Sequence, residues 1–206
     1  MSFTLFVTII FSYLLGAIPF GWVAGKILKG MDIRDHGTGN LGASNAGQVL
    51  GTRWGLLVYL LDILKGTVAG VLGQSIAGPL GLAVCGLAAV IGHDFPIFLG
   101  FHGGKGIATT TGVIWAMGWQ IAIIVYAAWI VGILITRYFI LSSLLDFAVV
   151  VAVGLYWQFP SWYVAFGALA GLIALQRHWG DLQRILRGEE PPAFTRLFQH
   201  FAKSRS

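Results

Sequence analysis

Three short stretches of this 206-residue chain hold most of the side chains able to do chemistry. The first reads Asp32-Ile33-Arg34-Asp35-His36-Gly37-Thr38-Gly39-Asn40-Leu41-Gly42-Ala43-Ser44-Asn45. Its glycines allow positive φ and close approach of backbone N–H groups to a ligand. Thr38, Asn40, Ser44 and Asn45 add neutral donors, so the run can form a concave nest for an anion. A plain polar turn is the other reading of the same residues. The second stretch reads Gly92-His93-Asp94-Phe95-Pro96, then Phe101-His102-Gly103-Gly104-Lys105-Gly106-Ile107-Ala108-Thr109. Gly103, Gly104, Lys105 and Gly106 offer bare N–H groups, a helix N-terminus and one ammonium, and all three favour phosphate. It is not a Walker A loop, because Gly106 stands where that motif needs Ser or Thr. The third runs from Arg177-His178-Trp179-Gly180-Asp181 through Arg184 and Arg187 to Gly188-Glu189-Glu190. His178 and Asp181 are spaced i, i+3 and can meet on one helix face, either as a proton-handling pair or as a surface pair without a role.

Two further places carry charge or hydroxyls in apolar surroundings. Asp62 and Lys65, again i, i+3, lie inside a hydrophobic run. Ionisable groups at membrane depth are functional candidates, and a structural ion pair tying helices together fits them equally. Arg137, with Ser142 and Ser143, marks a helix boundary, as a charge anchor or a phosphate contact. No metal site is expected, since the five His are scattered without a His-x-x-x-His pair and the single cysteine, Cys85, has no partner. Basic runs interleaved with aromatics are missing, so no nucleic-acid partner is expected.

The elements that position these loops follow from composition. The chain is 57% hydrophobic and 10% charged, against about 25% charged residues in soluble domains. So much apolar surface calls for lipid as solvent, and the long runs without strict alternation predict helices rather than a barrel. The expectation is an all-α integral membrane protein, with one domain over 1–206 and seven short transmembrane helices. These cover about Phe3 to Leu28 with a kink at Pro19, Trp54 to Gly73, Pro79 to Gly92, Gly106 to Gly118, Trp119 to Thr136, Ser142 to Trp157 and Ser161 to Gln176. Leu182, Ile185 and Leu186 predict a C-terminal interfacial helix. Six spans with a re-entrant pair is the alternative, with Gly118 the weakest boundary. Charge sets orientation. Twelve of the 13 Lys and Arg residues fall at the ends or loops of one side, and the connections near Gln74 to Gly78, Gly118 and Gln158 to Pro160 carry none. By the positive-inside rule the N-terminus is outside and the C-terminus cytoplasmic.

Taken together, these motifs resemble the bacterial acyl-phosphate:glycerol-3-phosphate acyltransferases, the PlsY-type enzymes. The resemblance rests on Gly16 to Gly21, Asp32 to Arg34, Gly37 to Ala43, Asp62 to Gly66, Gly92 to Pro96, Gly103 to Thr109, Arg137, Ser142-Ser143, His178 and Gly188 to Glu190. It implies transfer of a fatty acyl group from acyl phosphate to the sn-1 hydroxyl of glycerol 3-phosphate at the inner face of the bacterial plasma membrane. The products would be lysophosphatidic acid and phosphate, and no cofactor is implied. Carried over, Thr38, His178 and Ser142 are the catalytic positions. Asn40, Asn45, Gly103, Gly104, Lys105, Gly106, Arg137 and Asp181 are the phosphate-binding ones, and Asp62, Lys65 and Glu190 are structural. The chain departs from the family's usual pattern at three places. Thr38 replaces Ser and keeps the hydroxyl, Gln48 replaces a basic residue, and Asp181 stands where Asn is usual. A carboxylate at 181 repels phosphate unless His178, Arg184 or another cation neutralises it. The alternative reading is a non-enzymatic anion- or lipid-phosphate-binding membrane protein or a transporter, against which the lack of repeats and of a polar stripe argues.

Overall fold

The computed structural model describes residues 2–193, and every regular element among them is helical. The basic residues Arg196, Lys203 and Arg205 lie outside the described residues. Helix α1 (Phe3–Gly16) stops short of Pro19, and α2 (Phe20–Lys29) begins immediately after it. The expected kink is therefore a full break, because proline has no N–H to continue the ladder. A 3₁₀ turn (Ile33–Asp35) and a short helix α3 (Ala43–Leu50) follow. The spans expected from sequence leave 29–53 as a loop between them. Yet Ala46 is fully buried and shares a cluster with Ile33, Leu41 and Val58, so tertiary packing supports a helix too short to stand alone.

Helix α4 (Thr52–Asp94) is a hairpin, since its backbone leaves helical geometry at Ala77 and at Gly78 (φ 58°), just before Pro79. The two limbs touch through glycines. A Cβ on Gly73 would lie 2.1 Å from the carbonyl oxygen of Gly81. The same device joins α4 to α5 (Ile107–Met117), where a Cβ on Gly66 would lie 2.0 Å from the Thr109 carbonyl oxygen. Backbones approach this closely in lipid because small residues leave dispersion and backbone contacts as the adhesive. Gly118 (φ 152°) separates α5 from α6 (Trp119–Thr136), and α7 (Phe139–Tyr156), α8 (Ser161–Arg177) and α9 (Trp179–Leu186) complete the chain. Leu82, Val90, Val113, Phe147, Tyr163 and Phe166 form the principal core, where α4, α5, α7 and α8 meet.

The seven apolar segments of the sequence overlap α1 and α2, the two limbs of α4, α5, α6, α7 and α8, the first of them interrupted before Pro19. Among the described residues, four stretches are long and apolar enough to cross a membrane: Phe3–Lys29, Thr52–Leu99, Trp119–Thr136 and Phe139–Tyr156. The 18 residues of α6 span roughly 27 Å, close to the hydrocarbon thickness of about 30 Å. Helix α5, at 11 residues, is shorter. Large apolar side chains such as Phe6, Leu60, Leu64, Ile130 and Leu134 point outward, as they do where lipid rather than water surrounds the helices.

Candidate active site

One end of the bundle gathers the cationic loops, and a chain of contacts proves it. Leu99, beyond α4, packs on the first-loop cluster of Ile33 and Leu41. The glycine loop after it receives Arg177, whose Nη2 donates to the carbonyl oxygens of Gly104 (2.7 Å) and Gly103 (3.2 Å). Past α9, the Ala193 N–H donates to the Arg137 carbonyl at 2.7 Å. The opposite end is neutral; there Tyr163 donates to the Gln74 side chain at 3.1 Å.

The first loop is held by two side chains. Asp32 accepts from Nη2 of Arg34 (2.7 Å) and from the Trp22 indole (3.1 Å). The Arg34 hydrogen bond, against a smaller opposing effect of burial, brings the Asp32 carboxyl down to about 2. Asn45 is fully buried. Its amide donates to the carbonyls of Ile33 (2.7 Å) and Asn40 (2.8 Å) and accepts from the Thr38 N–H (2.7 Å). All the side-chain polarity of Asn45 is therefore engaged within the loop. The Asn40 side chain likewise accepts from the Gly42 N–H at 3.0 Å. Thr38 is exposed at the tip between Gly37 (φ 61°) and Gly39 (φ 72°).

The glycine loop differs from its expected form. The Gly103 and Gly104 N–H groups are not bare: they donate to the carbonyls of Asp94 (3.2 Å) and His93 (3.0 Å). Gly104 is required by sterics, since a Cβ there would lie 1.9 Å from His93 Nε2. The N–H groups left without an intrahelical acceptor are instead those of the first turn of α5, where Gly106 (φ 73°) turns the chain into the helix. Lys105, partly exposed, is ion-paired with Asp181 at the start of α9, and Arg184 pairs with the other oxygen of Asp181. Arg184 Nε also donates to Glu190 at 2.9 Å. Burial raises the Asp181 carboxyl, but the hydrogen bond and charge of Lys105 outweigh it and hold it below the usual range.

His178, buried at the α8–α9 corner, does not bond to Asp181. Its Nδ1 sits 2.9 Å from the Ala174 carbonyl, an acceptor that fixes Nδ1 as the donor and leaves Nε2 as the lone-pair nitrogen. Burial first, and the Lys105 charge after it, shift this imidazole below its ordinary value, so it is neutral at pH 7. Ser142 is fully buried, and its hydroxyl donates to the Tyr138 carbonyl at 3.0 Å inside the α6–α7 corner. Arg137 is exposed at that same corner, with φ 65°.

Below the glycine loop lies a buried triad. Lys65 Nζ is 2.8 Å from Asp62 Oδ1, 2.8 Å from His93 Nδ1, and donates to the Ile18 carbonyl at 3.1 Å. One ammonium thereby ties together the α1–α2 break and both limbs of α4, and the His93 ring in turn floors the glycine loop. The Asp62–Lys65 spacing was legible in sequence; the part of His93 was not, because nothing local marks it as their partner. Arg177 was likewise legible only as a basic residue of a polar tail, whereas Arg184 was legible as a cation able to neutralise Asp181, which it does.

The profile described as Glycerol-3-phosphate acyltransferase matches residues 6–188 of the chain. The chain belongs to this family. Among its relatives are proteins named glycerol-3-phosphate acyltransferase from Synechococcus sp. (strain JA-3-3Ab), 39% identical with 93% of each chain covered, and from Bacillus velezensis, 39% identical over 89% of this chain and 94% of the relative. The fold superposes on crystal structures of PlsY (YgiH), an integral membrane glycerol 3-phosphate acyltransferase. Against the glycerol 3-phosphate form the TM-score is 0.87, with 35% identity over 91% of this chain and 94% of that one. Against the lysophosphatidic acid form it is 0.86, with 34% identity over 94% and 98%. Like those family members, this chain is an all-α integral membrane protein.

Proposed function

We propose that the protein transfers a fatty acyl group from acyl phosphate to the sn-1 hydroxyl of glycerol 3-phosphate, releasing lysophosphatidic acid and phosphate. The observation that carries this is the closure of the glycine loop onto the α8–α9 corner through Arg177 and Lys105, at the end that also holds the first loop. That end offers an ammonium, a helix N-terminus, a neutral imidazole and, on the first loop, an exposed hydroxyl. Those groups suit two phosphate-bearing reactants. By the positive-inside rule this end is cytoplasmic, with the N-terminus outside, in a bacterial inner membrane.

The chemistry asks little of a base. Acyl phosphate is a mixed anhydride, so the sn-1 oxygen attacks the carbonyl carbon, a tetrahedral oxyanion forms, and the carbon–oxygen bond to phosphate breaks. The site must hold two anions near each other and align one hydroxyl. Lys105 and the N-terminus of α5 oppose the charge repulsion and stabilise the oxyanion. Asn45 and Asn40 act by shaping the first loop, Thr38 by offering its hydroxyl at the tip, and Ser142 and Arg137 by setting the α6–α7 corner. The hydroxyl proton passes to Nε2 of His178 or to the departing phosphate.

The test is direct. Purified protein given glycerol 3-phosphate and palmitoyl phosphate is expected to release phosphate and lysophosphatidic acid in equal amounts, and to release neither with acyl-CoA or acyl carrier protein thioesters. No phosphate release, or faster transfer from a thioester, would sink the reading.

A further inference from the structure

The cation that the glycine loop offers to a phosphate is already paired with an anion of the protein's own. Lys105 is bound to one oxygen of Asp181, Arg184 to the other, and Glu190 to Arg184. Four charges thus alternate in a row from the glycine loop before α5 to the segment beyond α9. Their exposures differ in a telling way. The Lys105 and Arg184 side chains are 30% and 46% exposed, whereas that of Asp181 is 5% exposed. An incoming anion therefore meets the two cations first and reaches the carboxylate only through them.

The two partners of Asp181 are not equivalent. Arg184 sits three residues along the same helix and is anchored by Glu190 at 2.9 Å, so it keeps Asp181 whatever happens at the loop. Its guanidinium can also take both carboxylate oxygens at once. Lys105 comes from another element on a flexible four-carbon stem and presents a point charge that can turn elsewhere. Only one ion pair has to break for the ammonium to be released, and the buried carboxylate it leaves stays charge-compensated.

We propose, on the functional reading above, that Asp181 is a resident competitor for the substrate's phosphate. It holds Lys105 when the site is empty. It yields Lys105 to an arriving dianion while Arg184 retains it, and it reclaims Lys105 as phosphate departs. A dianion, drawn also by the α5 N-terminus, displaces the carboxylate. A monoanion such as acetate carries no more charge than Asp181 and does not. The device thereby selects for dianions and hastens release of the inorganic product.

Isothermal titration of inorganic phosphate, glycerol 3-phosphate and acetate into the full-length protein in detergent, without acyl donor, tests this. Asp181→Asn is expected to bind both phosphates about tenfold tighter (about 1.4 kcal/mol), to discriminate less against acetate, and to lower KM together with kcat. Arg184→Met is expected to do the opposite to affinity, since Asp181 is then left to Lys105 alone. A merely structural role would weaken binding in both variants, and thermal midpoints identify any variant that fails to fold. Unchanged or weaker phosphate binding in a folded Asp181→Asn, with the unaltered protein still binding glycerol 3-phosphate, overturns the proposal and leaves the functional reading intact. If no form binds phosphate or transfers an acyl group, the functional reading fails and takes this proposal with it.

Discussion

The tautomer of His178 follows from one hydrogen bond, and a pH profile can expose its use. With Nδ1 donating to Ala174, Nε2 is available as a proton acceptor whenever the ring is neutral. Burial and Lys105 lower the pKa, so the neutral form persists below the ordinary histidine value of about 6.5. If Nε2 takes the substrate proton, kcat/KM falls on the acid side, with a limb below about pH 6.5 that disappears in His178→Gln. An unchanged profile assigns the proton to the departing phosphate instead. The same depressed pKa means that folding loses stability as pH falls below about 6.5, because the unfolded chain then binds a proton the folded site resists. At Gly104 the issue is steric. A methyl group there would sit 1.9 Å from His93 Nε2, and that ring cannot swing aside because Lys65 and Asp62 hold its other nitrogen. Gly104→Ala is therefore expected to cost about 1–3 kcal/mol, as overpacking does, and to displace the neighbouring Lys105. A lowered thermal midpoint in detergent with a raised KM for glycerol 3-phosphate would confirm both effects.

At the scale of elements, glycines separate positions that bind helices together from positions that only loosen them. Gly73 and Gly81 let the two limbs of α4 touch, and a Cβ on Gly73 would meet the Gly81 carbonyl oxygen at 2.1 Å and the Cys85 Cβ at 2.8 Å. Gly180, inside α9, would meet nothing within 4 Å. Opposite signs are expected from one chemical change. Gly73→Ala should lower the thermal midpoint by forcing the hairpin apart. Gly180→Ala should raise it, adding about 0.5–1 kcal/mol of stability through reduced backbone freedom of the unfolded chain. Paired thermal denaturation of the two variants decides it, and equal shifts would refute the hairpin contact. The α4 reversal was legible beforehand, because Gly78-Pro79 interrupts an apolar run. A kink at Pro19 was legible too, but not that the helix breaks there. Helix α3 was not, because its polar residues carry no strong period and its stability comes from Ile33, Leu41 and Val58 across the loop. Nor was the engagement of the Gly103 and Gly104 N–H groups, since the His93 and Asp94 carbonyls that take them can be located only once α4 is known to end beside the loop.

The whole molecule is polarised, with cations and loops at one end and a neutral rim at the other, and that polarity is what orients it in a membrane. The asymmetry in sequence corresponds to a real clustering in space, because Arg177, Lys105 and the Arg137 corner are joined through Gly103, Gly104, Asp181 and Ala193. Lysine and arginine are retained on the cytoplasmic side in short loops, so the end with α9 should face the cytoplasm and the rim with Ser161 the exterior. Single cysteines can read this, since the native Cys85 is fully buried. Ser161→Cys, at the first residue of α8, and Glu189→Cys, beyond α9, both replace exposed residues. In intact spheroplasts a membrane-impermeant maleimide is expected to label Ser161→Cys and spare Glu189→Cys. Opening the membrane should make the second reactive as well. The reverse pattern would place Lys105 and His178 on the outer face, away from any cytosolic supply of glycerol 3-phosphate, and the proposed reaction could not run in the cell.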